Sequence, residues 1–171
     1  MSFLSRLLGT EPDPREALRP LWHRAVTLAR TAEFYSECLV ADTVAGRFDM
    51  ITAVTACVMV RLETSEMRTE SALFAELFVE DMEGQMRELG VNDVVVGKRM
   101  GKVMSSLGGR LGAYRPALNN RDLEALTSAV ERNITFNDGG SPQCAATKLL
   151  SLMDDLSALS DDDLLAAKTT A

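Results

Sequence analysis

The sequence has little of several residue types on which whole classes of function depend. It contains one histidine in 171 residues, which argues against paired-histidine metal motifs, most zinc sites and a Ser-His-Asp triad with a spare histidine. Its three cysteines, Cys38, Cys57 and Cys144, are too few and too scattered to predict a disulfide framework, so we expect a thiol-reducing compartment. The longest nearly unbroken apolar run is 51–60, and a membrane-spanning helix needs about 20 residues. No transmembrane segment is therefore predicted.

The charge balance is acidic and the apolar content is that of a folded protein. Asp and Glu number 25 against 18 Lys and Arg, giving a formal net charge of -7. Such a chain repels phosphate backbones, so we expect no sequence-specific nucleic-acid partner. Hydrophobic residues make up 46% of the sequence, which excludes a wholly disordered chain. The length suits one domain.

Apolar residues recur mostly at three- and four-residue steps, which predicts an all-α fold, a single globular domain of about six to eight helices. A break is expected at Gly46, and the segment 48–62 is apolar nearly all round, as in a helix buried at the centre of a domain. The predicted helices are 13–31, 33–44, 48–62, 69–89, 93–118, 123–132, 142–156 and 161–168. The predicted divisions are a flexible or amphipathic N-terminus at 1–12, a helical domain at 13–156, and a short terminal helix or tail at 157–171.

The N-terminal residues 1–12 have an amphipathic pattern. Phe3, Leu4, Leu7 and Leu8 share one face if the segment is helical. This pattern fits an anchor on a membrane surface, and it also fits a terminus that packs on the domain. We prefer the second interpretation.

The predicted helix 93–118 carries an unusual face of small residues. Successive members of this face are separated by steps of four, four, three and four, which places them on one side of the helix. Each glycine inside a helix costs about 1 kcal/mol relative to alanine, so a compensating close contact is expected. That contact is either an internal helix crossing or the docking of a partner's helix. The residues are Gly97, Gly101, Ser105, Gly108 and Gly112.

The same helix is locally basic. It holds Lys98, Arg99, Lys102, Arg110 and Arg115, with no acid among 95–114. Against an acidic background this patch suits phosphates or an acidic loop of a partner, and it also fits an ordinary solvated face. From the small face and the basic face together, the predicted partner-binding residues are Gly97, Lys98, Gly101, Lys102, Ser105 and Arg110.

A second cluster of polar residues surrounds the predicted helix break at Gly46. Tyr35, Asp42, Arg47 and Asp49 flank this break. The interpretation we favour is a structural corner in which a buried Arg47 pairs with a carboxylate, because an unpaired buried charge is costly. The alternative is an unrecognised polar site of an enzyme.

Two blocks of the sequence resemble the ubiquinol–cytochrome c chaperone family. The first contains Phe34-Tyr35, Asp42-Thr43 and Gly46-Arg47-Phe48-Asp49-Met50. The second contains Leu73-Phe74, Asp81-Met82, Met86-Arg87-Glu88-Leu89-Gly90-Val91, Asp93 and Val96-Gly97-Lys98-Arg99-Met100, and Gly109-Arg110 and Ala113-Tyr114 continue it. Together they cover about 20–118, in the order of the family.

The resemblance implies an assembly chaperone that binds newly made cytochrome b and promotes biogenesis of the ubiquinol–cytochrome c reductase (bc) complex. It implies no enzyme activity, catalytic residue, metal or cofactor. Mitochondrial members work with a small partner and sit near the ribosome exit tunnel. The N-terminus does not read as a mitochondrial presequence, so we expect a bacterial, cytoplasmic protein that touches the ribosome or the periphery of the inner membrane through its basic patch. A helical regulatory adaptor is a further alternative.

Overall fold

The all-α prediction is confirmed by the computed structural model, which describes residues 13–88 and 93–168, with the backbone but not the side chains of 93–99. A 3-10 helix, Pro14–Leu18, opens the described chain. The α-helices that follow in the described ranges are α1 Arg19–Ala29, α2 Ala32–Ser36, α3 Val44–Thr64, α4 Arg68–Glu88, α5 Asp93–Asn120, α6 Leu123–Asn133, α7 Pro142–Ala158 and α8 Asp161–Leu165. None of the helices in these ranges combines the length and apolar character needed to cross a bilayer.

Helix α3 occupies the centre of the fold, as the apolar segment 48–62 predicts. Almost every residue from Asp49 to Leu62 is buried, because α1, α4, α5 and α7 all pack against it. Beside it, Trp22 meets the ring of Phe74 edge-on, with centroids 5.6 Å apart. The core is thus one central helix covered from several sides.

Side chains that precede the helices fix where they begin. Asp122 accepts a hydrogen bond from the backbone N–H of Ala125 at 3.0 Å, and so begins α6. Ser141 does the same for Cys144 at 3.1 Å and begins α7. These polar side chains satisfy amide groups that have no partner within their own helix. For this reason α6 and α7 begin at the residues that the sequence pattern predicts.

The predicted helix over 33–44 is wrong beyond Ser36. Leu39 has a φ of 59°, which ends the helical path, and Val40 forms an antiparallel bridge with Phe136. Cys38, Val40 and Ala41 are buried, and the segment pairs with a loop almost a hundred residues later in the chain. Tertiary contact therefore overrides a local pattern that fitted a helix.

The predicted break at Gly46 is also wrong, because Gly46 lies in the first turn of α3. A β-carbon at this position would stand 1.9 Å from the carbonyl oxygen of Ala41. The glycine is needed for close approach between α3 and the preceding strand-like segment, and it does not end a helix. Thr43 begins α3 by accepting a hydrogen bond from the Gly46 N–H at 3.2 Å.

The expectation of unpaired cysteines is wrong for two of the three. Cys38 and Cys144 form a disulfide between the segment after α2 and the first turn of α7, with Cα atoms 5.3 Å apart. The same two regions are joined by a hydrogen bond from the Ser141 N–H to the Cys38 carbonyl at 2.9 Å. Cys57 is a buried free thiol, and burial raises its pKa to about 12. The pairing removes the argument for a reducing compartment.

Arg61 ties the end of the chain to the central helix, which no sequence pattern indicated. Its guanidinium is buried and donates to the backbone carbonyls of Leu156 and Leu159, each at 2.9 Å. It also pairs with Asp161 at 2.9 Å. Arg61 therefore satisfies carbonyl groups at the end of α7 and holds α8 against the domain.

We expect opening of the disulfide to destabilise the fold. The bridge joins positions 106 residues apart, and a cross-link over so long a loop stabilises by typically about 2–4 kcal/mol. Cys144→Ser should therefore lower the free energy of unfolding by about that amount in urea denaturation. Dithiothreitol should weaken the natural protein similarly and should leave Cys144→Ser unchanged. Equal stability of the two proteins without reductant would contradict the expected bridge.

Candidate functional site: an apolar groove and an exposed helix face

An apolar groove of about 930 Å³ opens between α1, the first turns of α3 and the end of α4. It forms because none of the described helices covers the first turn of α3, where Val44 is 82% exposed. The deeper residues Phe48 and Met82 connect the groove to the core. The groove is lined by Val26, Ala29, Arg30, Val44, Ala45, Arg47, Phe48, Ile51, Asp81, Met82, Gln85, Met86 and Glu88.

The charged residues of the groove have opposite signs on different helices. Arg30 directly follows α1 and Arg47 belongs to α3, whereas Asp81 and Glu88 belong to α4. Apolar side chains supply most of the remaining lining. An elongated apolar segment with few charges has the chemistry to fill such a groove, in the manner of a helix bound in a hydrophobic cleft.

The structure brings Asp42 and Arg47 together at the edge of the groove. The Asp42 carboxylate accepts from Arg47 Nε at 2.5 Å, and this bond holds the pKa of Asp42 below its ordinary value. The side chains are 58% and 60% exposed, so the pair contributes little to stability. The expectation of a buried Arg47 is wrong.

Tyr35 has a separate role. Its hydroxyl donates to the Ala29 carbonyl at 2.8 Å, and partial burial raises its pKa. This bond joins α2 to the end of α1, where the groove begins. Tyr35 is therefore a structural contact near Asp42 and Arg47.

Asp49 points away from that corner and forms a buried ion pair. Arg110 donates to its carboxylate at 2.6 Å, with the two side chains 15% and 8% exposed. The other carboxylate oxygen accepts from the backbone N–H and the hydroxyl of Thr135, at 2.9 and 2.7 Å. The Arg110 guanidinium also lies 5.3 Å from the ring centroid of Phe48. Asp49 thus connects α3, α5 and the loop after α6.

The four residues of the proposed corner therefore do not converge on one polar pocket. Asp42 and Arg47 pair at the surface, Tyr35 bonds a backbone carbonyl, and Asp49 faces α5. An enzyme site needs its titratable groups aimed at one reacting atom. The geometry gives no support to the enzyme alternative at this place.

The small-residue face of α5 is open to solvent over its described part. Gly101, Ser105, Gly108 and Gly112 are exposed, and a β-carbon at each of the three glycines would meet nothing within 4 Å. Met104 lies among them and is 44% exposed. The interpretation as a close internal crossing is therefore wrong for these residues. For Gly97 and Lys98 the structure describes the backbone only, so their part of the prediction lies outside the described side chains.

Two cations of the predicted basic patch form ion pairs with other residues of the same chain. Arg110 pairs with the buried Asp49, and Arg115 binds Glu63 at 2.9 Å. The prediction that Arg110 belongs to a surface patch is wrong because its partner lies on α3, which the sequence of α5 does not reveal. Lys102 is exposed. The described basic surface is thus smaller than the charge pattern suggested.

The groove itself was not predicted from the sequence. Phe48 lies in the predicted helix 48–62, and Met82 and Met86 lie in the predicted helix 69–89, but a groove arises only where three helices leave a gap. The sequence contains nine methionines, a residue type that suits adaptable apolar surfaces, but their number does not locate a groove. No periodicity within one helix predicts such a gap.

Comparison with known proteins gives a consistent result. A family model described as "Ubiquinol-cytochrome C chaperone" matches residues 36–171. The crystal structure of the Cbp3 homolog from Brucella abortus superposes with a TM-score of 0.76 and 29% sequence identity, covering 91% of this chain and 90% of that one. No curated protein matches the sequence significantly. The family match includes α3, α4, α5 and most of the groove.

We expect Asp49 and Asp42 to differ strongly in their effect on stability. Asp49→Ala leaves the buried Arg110 without its carboxylate, and removal of one partner of a buried pair costs about 3–5 kcal/mol. Asp42→Ala removes only an exposed pair and should leave the free energy of unfolding almost unchanged. Urea denaturation of both variants measures the difference. Equal losses would show that the two pairs are energetically alike.

We also expect Gly101→Ala to stabilise the protein. Alanine is favoured by about 1 kcal/mol over glycine at an exposed position inside a helix, and a β-carbon at Gly101 meets no neighbour. Gly46→Ala is the matched control and should destabilise, because its β-carbon overlaps the Ala41 carbonyl. Thermal unfolding monitored by circular dichroism checks both directions. A loss of stability in Gly101→Ala would restore the internal-crossing interpretation.

Proposed function

The chain belongs to the ubiquinol–cytochrome c chaperone family, and we propose that it binds newly made cytochrome b and promotes assembly of the bc complex. The observation that carries the proposal is the open apolar groove between α1, α3 and α4. A membrane subunit exposes apolar helices before it is assembled, and such helices need a protected surface outside the bilayer. The groove offers such a surface, and binding an apolar helix there requires no catalytic step.

The side chains of the groove suit a client whose helices differ in shape. Met82 and Met86 line one wall, and methionine adapts to irregular apolar partners because its side chain is unbranched and flexible. Phe48 and Ile51 of α3, which also line the groove, are more rigid apolar side chains. This combination favours affinity for apolar helices in general over one exact sequence.

The exposed face of α5 is proposed as a second contact surface for the client or a partner. Its described members are Gly101, Lys102, Met104 and Ser105, and Gly97 and Lys98 extend it in the sequence. Small residues permit a helix to approach closely, and Lys102 adds a positive charge for the headgroups of the inner membrane or the ribosome surface. The protein would then act in the cytoplasm, at the periphery of the inner membrane.

A groove variant tests the proposal in a strain that lacks the gene. Met86→Glu places a charge in the groove, and we expect it to lower capture of cytochrome b from membranes roughly tenfold, equivalent to about 1.4 kcal/mol. Leu150→Glu, a change of another partly buried apolar residue on α7, is the matched control and should retain capture. Assembled bc complex and b-type haem, measured by native gels and spectroscopy, should follow capture in both variants.

Three outcomes would contradict the proposal. Normal b-type haem in the deletion strain would remove the assembly role. Undiminished capture by a folded Met86→Glu variant would remove the groove. Recovery of a signalling protein in place of cytochrome b would favour the regulatory adaptor. Before capture is compared, urea denaturation checks that the two variants have similar free energies of unfolding.

A further inference from the structure

We propose that the N-terminal segment of this chain, residues 1–12, occupies the groove when no client is bound, with Phe3, Leu4, Leu7 and Leu8 facing its apolar walls. The inference goes beyond the proposed function and does not depend on which client the groove receives. In this proposal the segment covers the apolar walls of the groove in place of a client. The argument combines the position at which the segment joins the fold, its length and its chemistry.

The segment joins the described chain beside the groove. The 3-10 helix Pro14–Leu18 packs on α4, and both Arg15 and Arg19 bind Glu80, at 2.8 and 3.0 Å. The next residue of α4, Asp81, lines the groove. The attachment point of the segment therefore lies at one end of the α4 wall.

The segment is long enough to follow that wall. The wall runs from Asp81 to Glu88, a distance of about 10 Å at a helical rise of 1.5 Å per residue. The polar stretch 9–12 reaches about 13 Å when extended. Residues 2–8, taken as a helix, cover about another 10 Å. Every apolar residue of the segment is thus within reach of the groove.

The chemistry of the segment complements that of the groove. If the segment is helical, its apolar residues share one face, with Ser2, Ser5 and Arg6 on the other. The groove exposes apolar side chains of three helices, and the α4 wall carries the acids Asp81 and Glu88. An apolar face directed inward and Arg6 near this acidic wall match both features.

Photo-cross-linking of the full chain tests the proposal without a client. The amino acid p-benzoylphenylalanine replaces Phe3 or Leu7, and in the matched control it replaces Ser5 on the opposite face. After irradiation of the dilute protein, mass spectrometry identifies the joined peptides. We expect positions 3 and 7 to cross-link within one molecule to the peptide that contains Met82 and Met86. The Ser5 yield should be at least several-fold lower, and Met86→Glu should reduce the cross-link from position 7.

Each other result overturns the proposal. Cross-links that disappear on dilution would show that a second copy fills the groove. Cross-links to α5 around Met104 would place the segment on the other exposed surface. Equal yields from positions 5 and 7 would exclude an apolar face directed at the groove, and absence of any cross-link to α4 would exclude docking. Because no cytochrome b is present, these results are independent of the client experiment.

Discussion

Burial of helix α3 on all sides is the constraint on which the rest of the structure depends. A helix that is apolar all round is stable in water only if other elements cover every face. Helices α1, α4, α5 and α7 supply that cover, and the cover stops at the first turn, where Val44 is exposed. The groove lies at this end of α3, which none of the described helices covers. One feature of the sequence therefore accounts for both the core and the candidate binding site.

The buried charges serve the same central helix. Asp49 near its beginning binds Arg110 and Thr135, and Arg61 near its end binds carbonyls of α7 and the linker after it. A buried charge is tolerated only where its partners are fixed, so each one determines which element lies beside α3. The exposed Asp42–Arg47 pair does not determine the position of any element, because solvent competes for both charges. Position in the fold separates a structural ion pair from a surface one.

Most of the helices were predictable from the sequence because their evidence is local. The apolar segment 48–62 and the start of α6 at Asp122 each depend on neighbouring residues. The pairing of Val40 with Phe136 and the bridge from Cys38 to Cys144 join residues about a hundred positions apart, and a single sequence carries no signal for such distances. The groove was missed for the same reason. The small-residue face of α5 was predictable because the spacing of its residues is a pattern within one helix.

The glycines of α5 bear on the proposed second contact surface. Each one lowers the stability of the helix by about 1 kcal/mol relative to alanine, and at Gly101, Gly108 and Gly112 no neighbouring atom lies close enough to require the absence of a side chain. Packing among the residues that the structure describes therefore does not account for them. Two explanations remain, either a partner that approaches the helix closely or a helix that gains function from lower rigidity. The exposed Met104 among them favours the first, because an apolar side chain on a smooth face adds contact area for a partner and does nothing to loosen a helix.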